Sequence, residues 1–180
     1  MFLQNGRIRI RNAASEDAER LAAWWNDGTV MAHAGWPLGL GTSPERVREQ
    51  IAEESDDTTR RHIIEFDGAP IGEMNYRDLG GGRCEMGIKI CEADMQNRGL
   101  GKVILSMFID GLFRERGYSV VCLDTNINNL RAQHVYEELG FRRLRVCRNS
   151  FRDQLGAWQS SVDYELTPEE FRSFSGTDRS

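Results

Sequence analysis

Residues 83–124 constrain the fold more than any other stretch of the chain. Arg83 to Ile90 alternates apolar and polar residues as a strand does, and Leu100 to Arg116 carries Leu100, Val103, Ile104, Met107, Phe108 and Leu112 at helical spacing. Gly117 closes that helix, and Val120 to Asp124 reads as a buried strand. A strand, a crossover helix and a second strand can share one sheet only as a parallel pair. The strands on either side are joined by turns too short for a crossover. Asp67-Gly68 separates strand 61–66 from strand 69–76, and Gly80-Gly81-Gly82 leads into strand 83–90. The expected architecture is therefore an α/β (α+β) fold whose mixed sheet is mostly antiparallel and contains one parallel pair.

The flanking segments add to this frame. Arg7 to Ala13 alternates charged and apolar residues and reads as a first strand. Ser15 is placed to cap a helix bearing Ala18, Leu21, Ala22 and Trp25, with Glu16 and Asp17 in its first turn. Val30 to Thr42 is irregular, and Ser43-Pro44 opens a second, polar helix to about Glu54. Asn128 to Leu139 is a helix with an Ala132, Val135, Tyr136, Leu139 stripe, ended by Gly140. Phe141 to Phe151 and Trp158 to Leu166 form a last hairpin, giving a sheet of about seven strands. Thr167-Pro168-Glu169-Glu170 has the pattern of a capping box opening a short helix, and the tail from Ser173 is expected to fray. With no repeat and no linker, residues 1–180 read as a single domain.

Composition narrows the class. At 39% hydrophobic and 28% charged residues the chain is a globular one. No apolar run approaches the roughly 18 residues of a membrane helix, and Met1 to Arg11 lacks the order of a secretion signal, so no membrane partner is expected and the expected location is cytoplasmic. A net charge of -5 argues against a nucleic-acid surface. Cys84, Cys91, Cys122 and Cys147 form no Cys-x-x-Cys pair and His33, His62 and His134 show no zinc spacing, so buried free thiols and no metal are expected.

Chemistry enters at Gln96-Asn97-Arg98-Gly99-Leu100-Gly101-Lys102. A helix N-terminus presents free N–H groups, glycines let an anion come close, and Arg98 and Lys102 add positive charge. The loop suits a pyrophosphate. It is not a Walker loop, because Gln96 stands where the first glycine belongs and Val103 where a hydroxyl belongs. Nor is it a dinucleotide fingerprint, whose third glycine position holds Ile104. Read alone, Gly99 and Gly101 equally describe a tight turn.

About 30 residues on, Asn129, Ala132, Tyr136, Gly140 and Phe141 stand in the pattern Asn-x-x-Ala-x-x-x-Tyr-x-x-x-Gly-Phe. Together with Gln-x-x-Gly-x-Gly, this resembles the GNAT superfamily of acyl-CoA N-acyltransferases over roughly residues 61–141. The first strand, the Trp24-Trp25 pair and the final hairpin with Gly156, Trp158, Asp163 and Tyr164 resemble the branch of ribosomal-protein N-terminal and polyamine acetyltransferases.

The resemblance implies that the parallel strands splay and that acetyl-CoA, the acyl donor, lies in the gap. Backbone at Ile88, Lys89 and Ile90 would pair with its pantetheine arm. The loop Gln96, Arg98, Gly99, Leu100, Gly101 and Lys102 would hold its pyrophosphate, and Asn129 would contact it from the next helix. It further implies an amine acceptor, small molecule or protein N-terminus, and a homodimer as a common state of the branch.

The reaction requires a base, because an amine with a pKa near 8 or 10.4 is mostly protonated at neutral pH, and an acid for the departing thiolate. Tyr136 either completes its apolar stripe or, as the resemblance implies, serves as the acid. Glu85, with Gly87 leaving room beside it, is the candidate base; Glu73 on the preceding strand is its rival. Trp36 either lines the acceptor pocket or closes the core, and Trp25 is assigned to the core. The acidic run from Glu45 to Asp57, six acidic and two basic residues, suits either a cationic acceptor or an ordinary solvated face. An acyl-CoA-binding protein without catalysis is the competing function on this scaffold.

Overall fold

A computed structural model describes residues 1–176. Eight strands and five α-helices follow one another as β1 (Leu3–Asn5), β2 (Ile8–Asn12), α1 (Ala18–Asn26), α2 (Gly28–Met31), α3 (Pro44–Glu53), β3 (Thr59–Phe66), β4 (Ala69–Gly80), β5 (Arg83–Ile90), α4 (Leu100–Arg114), β6 (Val120–Asn126), α5 (Leu130–Glu138), β7 (Arg142–Arg152) and β8 (Trp158–Leu166). They form one sheet in the order β1-β2-β3-β4-β5-β6-β8-β7. Every neighbouring pair is antiparallel except β5 and β6. The mixed, mostly antiparallel sheet with one parallel pair stands as the sequence indicates.

The eighth strand, β1, escapes the sequence pattern because only Leu3–Asn5 pair with β2, around a turn at Gly6. It is secured by packing rather than by length. Met1 and Leu3 lie directly over Gly111 of α4, where any side chain would collide with them.

Helices cover both faces. On one, α4 and α5 bury Ile104, Phe108, Leu112, Tyr136 and Leu139 against Ile10, Met74, Met86, Val121 and Tyr164. On the other, α1 and α3 bury Leu21, Trp24, Trp25, Val47 and Ile51 against Ile63. Trp24 is thus a core residue alongside Trp25, each indole N–H donating to a carboxylate, Glu92 at 2.9 Å and Glu73 at 2.8 Å. His62 is fully buried, edge-on to Phe108, and neither ring nitrogen finds a partner. Burial lowers its pKa to about 3, so it stays neutral.

Four local expectations are corrected. Ser15 does not cap α1: residues Ser15–Asp17 form a single 3-10 turn that leads into it, closed by the Asp17 carboxylate, which accepts from the Ala14 N–H at 2.8 Å while Arg11 holds it. Thr167–Glu170 makes only one bond of a capping box, Thr167 N–H to Glu170 Oε2 at 3.2 Å, and no helix, because the chain is drawn away into an extended path. There Arg172 N–H donates to Leu139 and Phe174 N–H to Ser106 Oγ, both at 2.9 Å. The same bonds tie down residues 173–176, which were expected to fray; residues 177–180 of that tail lie outside the described residues. Finally, only Cys84 and Cys91 are buried, whereas Cys122 and Cys147 are partly exposed; all four are free.

Candidate active site

The site is a wedge opened where the parallel pair ends. β5 and β6 pair only at Arg83↔Val120, Cys84↔Val121 and Glu85↔Cys122. Beyond that point β5 stays with β4 as far as Gly72↔Ile90, while β6 follows β8 to Asn126↔Ser161. The β5 backbone from Met86 to Ile90 therefore has one edge outside any ladder, and such an edge offers N–H and C=O groups to an added strand or an amide-bearing chain. Ile88, Lys89 and Ile90 stand on this edge. Ile88 and Ile90 turn their side chains into the core under α4, which fixes the strand while leaving its backbone open.

The loop from β5 to α4 lies at the wide end of the wedge. Gln96 Nε2 donates to the Ile90 carbonyl at 2.9 Å and ties the loop to the strand. Asn97 and Gly99 are in the left-handed region (φ 62° and 75°), so the chain reverses into the first turn of α4. Nothing lies within 4 Å of where a Gly99 side chain would begin, and at Gly101 only Ile90 Cδ1 does, at 4.0 Å. The first-turn N–H groups of α4, from Leu100 onward, lack intrahelical acceptors and face this open space with the positive end of the helix dipole. Arg98 is exposed beside them. The arrangement fits a pyrophosphate.

Two expected contributors have other engagements. Lys102 pairs with Glu138 at 2.7 Å and lies 4.5 Å over the Phe174 ring, toward α5 and the C-terminal segment. Asn129 caps α5, its Oδ1 accepting from Ala132 N–H at 3.2 Å, which places it at the helix end facing the wedge from the β6 side.

Three carboxylates near the wedge differ sharply in state. Glu73 is buried and receives Trp25 Nε1, Arg61 at 2.7 Å and Lys89 at 3.2 Å. Burial alone would raise its pKa, but Lys89 and Arg61 hold the carboxyl below its ordinary range. A carboxylate so occupied is a structural anion and a poor proton acceptor. Glu85 lies on the same sheet face, accessible, with Arg77 Nη2 at 2.5 Å. Asp124 shares that face, two residues beyond the partner of Glu85 on β6 and opposite Asp163 on β8. Solvent reaches Asp124, yet crowding in the wedge raises its pKa, and the charges of Glu85 and Asp163 raise it further. Sequence reading passes over Asp124. Its signal is its place as the one charged residue of the apolar strand 120–124, on the side away from Val121 and Leu123.

Tyr136 reaches the wedge from α5. It is nearly buried, edge-on to Phe141 and Tyr164. Burial, then Asp124 and Tyr164, push its phenol up to about 12, so it is protonated at neutral pH. Across the mouth, the turn Ala32–Ala34 lies against β6. It is followed by Trp36, which at 40% exposure stands on the rim and closes no core.

Comparison with known proteins agrees with this geometry. The model of the acetyltransferase (GNAT) domain matches residues 7–142. Aminoglycoside N(6')-acetyltransferase type 1 of Klebsiella pneumoniae is 24% identical over 153 residues, 77% of this chain and 76% of that protein. Spermidine N-acetyltransferase from Vibrio cholerae, solved with CoA and spermine, superposes with a TM-score of 0.82 at 19% identity, covering 92% of this chain and 98% of that one. The ribosomal L7/L12 alpha-N-protein acetyltransferase RimL, solved with coenzyme A, gives 0.81 at 12% identity over 93% and 98%. With a family match across most of its length, this chain belongs to the GNAT acetyltransferases and is an acetyl-CoA-dependent N-acetyltransferase.

Proposed function

We propose that the acceptor is a primary amine on a small cationic molecule and that Asp124 takes its proton while Tyr136 supplies one to the leaving thiolate. The observation that carries this reading is the placement of Asp124 on one sheet face with Glu85 and Asp163, which raises its pKa, within electrostatic reach of the protonated Tyr136. A cation gains from the charge of Glu85, Asp124 and Asp163 together, and a carboxylate of raised pKa is a better base than a free one. Acetyl-CoA supplies the thioester. The β5 edge at Ile88–Ile90 and the α4 N-terminus at Arg98–Gly101 hold it, Gln96 fixes the loop, and Asn129 stands at the α5 end of the same wedge. The amine nitrogen bonds to the acetyl carbon, the carbon–sulfur bond breaks, Asp124 receives the amine proton and Tyr136 protonates the sulfur. Glu85, the base expected from the sequence, here draws the cation in and keeps Asp124 basic. The aminoglycoside and spermidine acetyltransferases among the relatives act on cationic amines of this kind.

Binding of acetyl-CoA by calorimetry, native against Gly99→Trp, and thiol release with spermidine, an aminoglycoside and a peptide with a free α-amine test the reading. A side chain at Gly99 meets nothing within 4 Å, but the left-handed backbone there (φ 75°) strains any residue other than glycine, so the folded state of the variant is checked by its melt before its binding is read. Native binding lost in the folded variant, with thiol released by the cationic small amines, is the expected result. Binding without thiol release from any amine would leave a CoA-binding scaffold, and release by the peptide alone would move the acceptor to a protein N-terminus.

A further inference from the structure

The segment between α2 and α3 follows the turn that lies against β6, and its middle makes three hydrogen bonds with a single residue. Its ends are fastened to neighbouring chain: Trp36 N–H donates to the Met31 carbonyl at 3.1 Å and Leu40 N–H to the Trp25 carbonyl at 2.7 Å. Between these points the backbone turns at Gly35 and Gly39, both left-handed (φ 90° and 79°), and displays Trp36 and Leu38, at 40% and 69% exposure. Three backbone groups of this stretch go to one residue at the tip of the β7–β8 hairpin. Gln154 donates its own N–H to the Gly35 carbonyl at 2.8 Å. Its Oε1 accepts from Leu38 N–H at 2.9 Å, and its Nε2 donates to the Gly39 carbonyl at 3.0 Å. The primary amide carries an acceptor oxygen and a donor nitrogen side by side and so serves both of the last two.

The hairpin tip is itself built to aim that amide. Asp153 accepts from Leu155 N–H and Ala157 N–H, both at 2.9 Å, and from Gln159 Nε2 at 2.8 Å. Gln159 Oε1 in turn accepts from Asn126 Nδ2 at 2.9 Å. Asn126 ends β6, two residues from Asp124 on the same face. Hydrogen bonds from Asn126 through Gln159 to Asp153, and from there the peptide link to Gln154, therefore join the strand that carries the proposed base to the strap formed by residues 35–39. Phe151 backs the strap, its ring set so close to Gly35 that a side chain there would strike it.

We infer that Gln154 is a positioning residue: it latches residues 35–39 over the mouth of the wedge, so that Trp36 and Leu38 receive the apolar body of the acceptor while the carboxylates receive its charge. This rests on the acetyltransferase reading, with the strap on the acceptor side and the α4 N-terminus on the donor side. Loss of the latch should therefore change the handling of amines and leave the donor alone.

The test compares Gln154→Ala and Gln154→Glu with the native protein, and uses Leu155→Ala, an exposed neighbour on the same tip, as control. With the amine that the native protein acetylates best, KM should rise about ten-fold in both Gln154 variants, as for the loss of one or two hydrogen bonds near 1 kcal/mol each. The acetyl-CoA dissociation constant should not move. Glutamate fails with alanine because it cannot donate to Gly39. An unchanged KM, or acetyl-CoA affinity falling in step with it, overturns the latch. If the native chain acetylates no amine at all, the functional reading fails separately, and the latch is judged by amide exchange. Exchange at Leu38, whose N–H the Gln154 side chain holds, should quicken about ten-fold in Gln154→Ala, and unchanged exchange overturns it.

Discussion

A carboxylate can take a proton from an ammonium group only if its own hold on the proton is strengthened, and the two candidates of opposite fate here show how. Glu73 is more deeply buried than Asp124, yet its pKa falls, because Lys89, Arg61 and Trp25 compensate its charge. At Asp124, which solvent still reaches, partial desolvation and two neighbouring carboxylates act in one direction, against only a backbone hydrogen bond. The prediction follows from the sign. Glu85 is negative and disfavours ionisation of Asp124, so Glu85→Gln lowers the Asp124 pKa. If Asp124 must be ionised to act, activity is lost as pH falls through that pKa, and the acidic limb of the kcat/KM profile should move to lower pH in Glu85→Gln. A limb that vanishes with the substitution, or moves upward, would instead make Glu85 the base. Sequence alone does not separate these residues. Glu73, Glu85 and Asp124 are all single acidic residues on strands, and only the partners brought in from β3, α1 and β8 tell them apart.

At the scale of elements, the outcome depends on whether a segment answers to its own sequence or to its neighbours. The turn at Asp67-Gly68, the Ser43 cap of α3 and the α4 crossover were legible because each is decided locally: both turn residues are left-handed, and Ser43 Oγ accepts from Arg46 N–H at 3.4 Å. The Ser15 turn, the missing helix at Thr167 and strand β1 were not, because Arg11, Leu139 and α4 decide them from afar. Gly72 belongs to the second kind. Its sequence context is an ordinary strand, but a side chain there would overlap the Lys89 carbonyl oxygen and press on Ile90 Cα. Relief must come from displacing the end of β5, the edge assigned to the pantetheine arm. Gly72→Ala should cost about 1–3 kcal/mol of stability, as overpacking does. It should also weaken acetyl-CoA binding in calorimetry, whereas a purely structural glycine would lose stability with donor affinity intact.

At the scale of the molecule, the sheet is two sheets joined at a narrow seam. Strands β1 to β5 form one ladder and β6, β8 and β7 another, and between them stand the three register pairs from Arg83↔Val120 to Glu85↔Cys122. The rest of the seam is closed from outside by α4 and α5, whose side chains reach both ladders. A donor lying along the β5 edge with its pyrophosphate at α4 fills the space between the ladders and binds the folded chain alone. It therefore adds to stability by mass action, about 2.7 kcal/mol at a hundred times its dissociation constant. For a domain of this size each kcal/mol is worth roughly 2–4 °C, so acetyl-CoA should raise Tm by about 5–10 °C in a thermal melt. Gly99→Trp should melt a few degrees below the ligand-free native protein, because a side chain at the left-handed position costs about 1–2 kcal/mol, and show no such rise, since the open space at the α4 N-terminus is then filled. Pantetheine without its pyrophosphate, at the same concentration, should give a much smaller shift. An equal shift from pantetheine would place the binding energy along β5 and take it away from the helix N-terminus, and a rise that survives in Gly99→Trp would move the pyrophosphate out of the loop altogether.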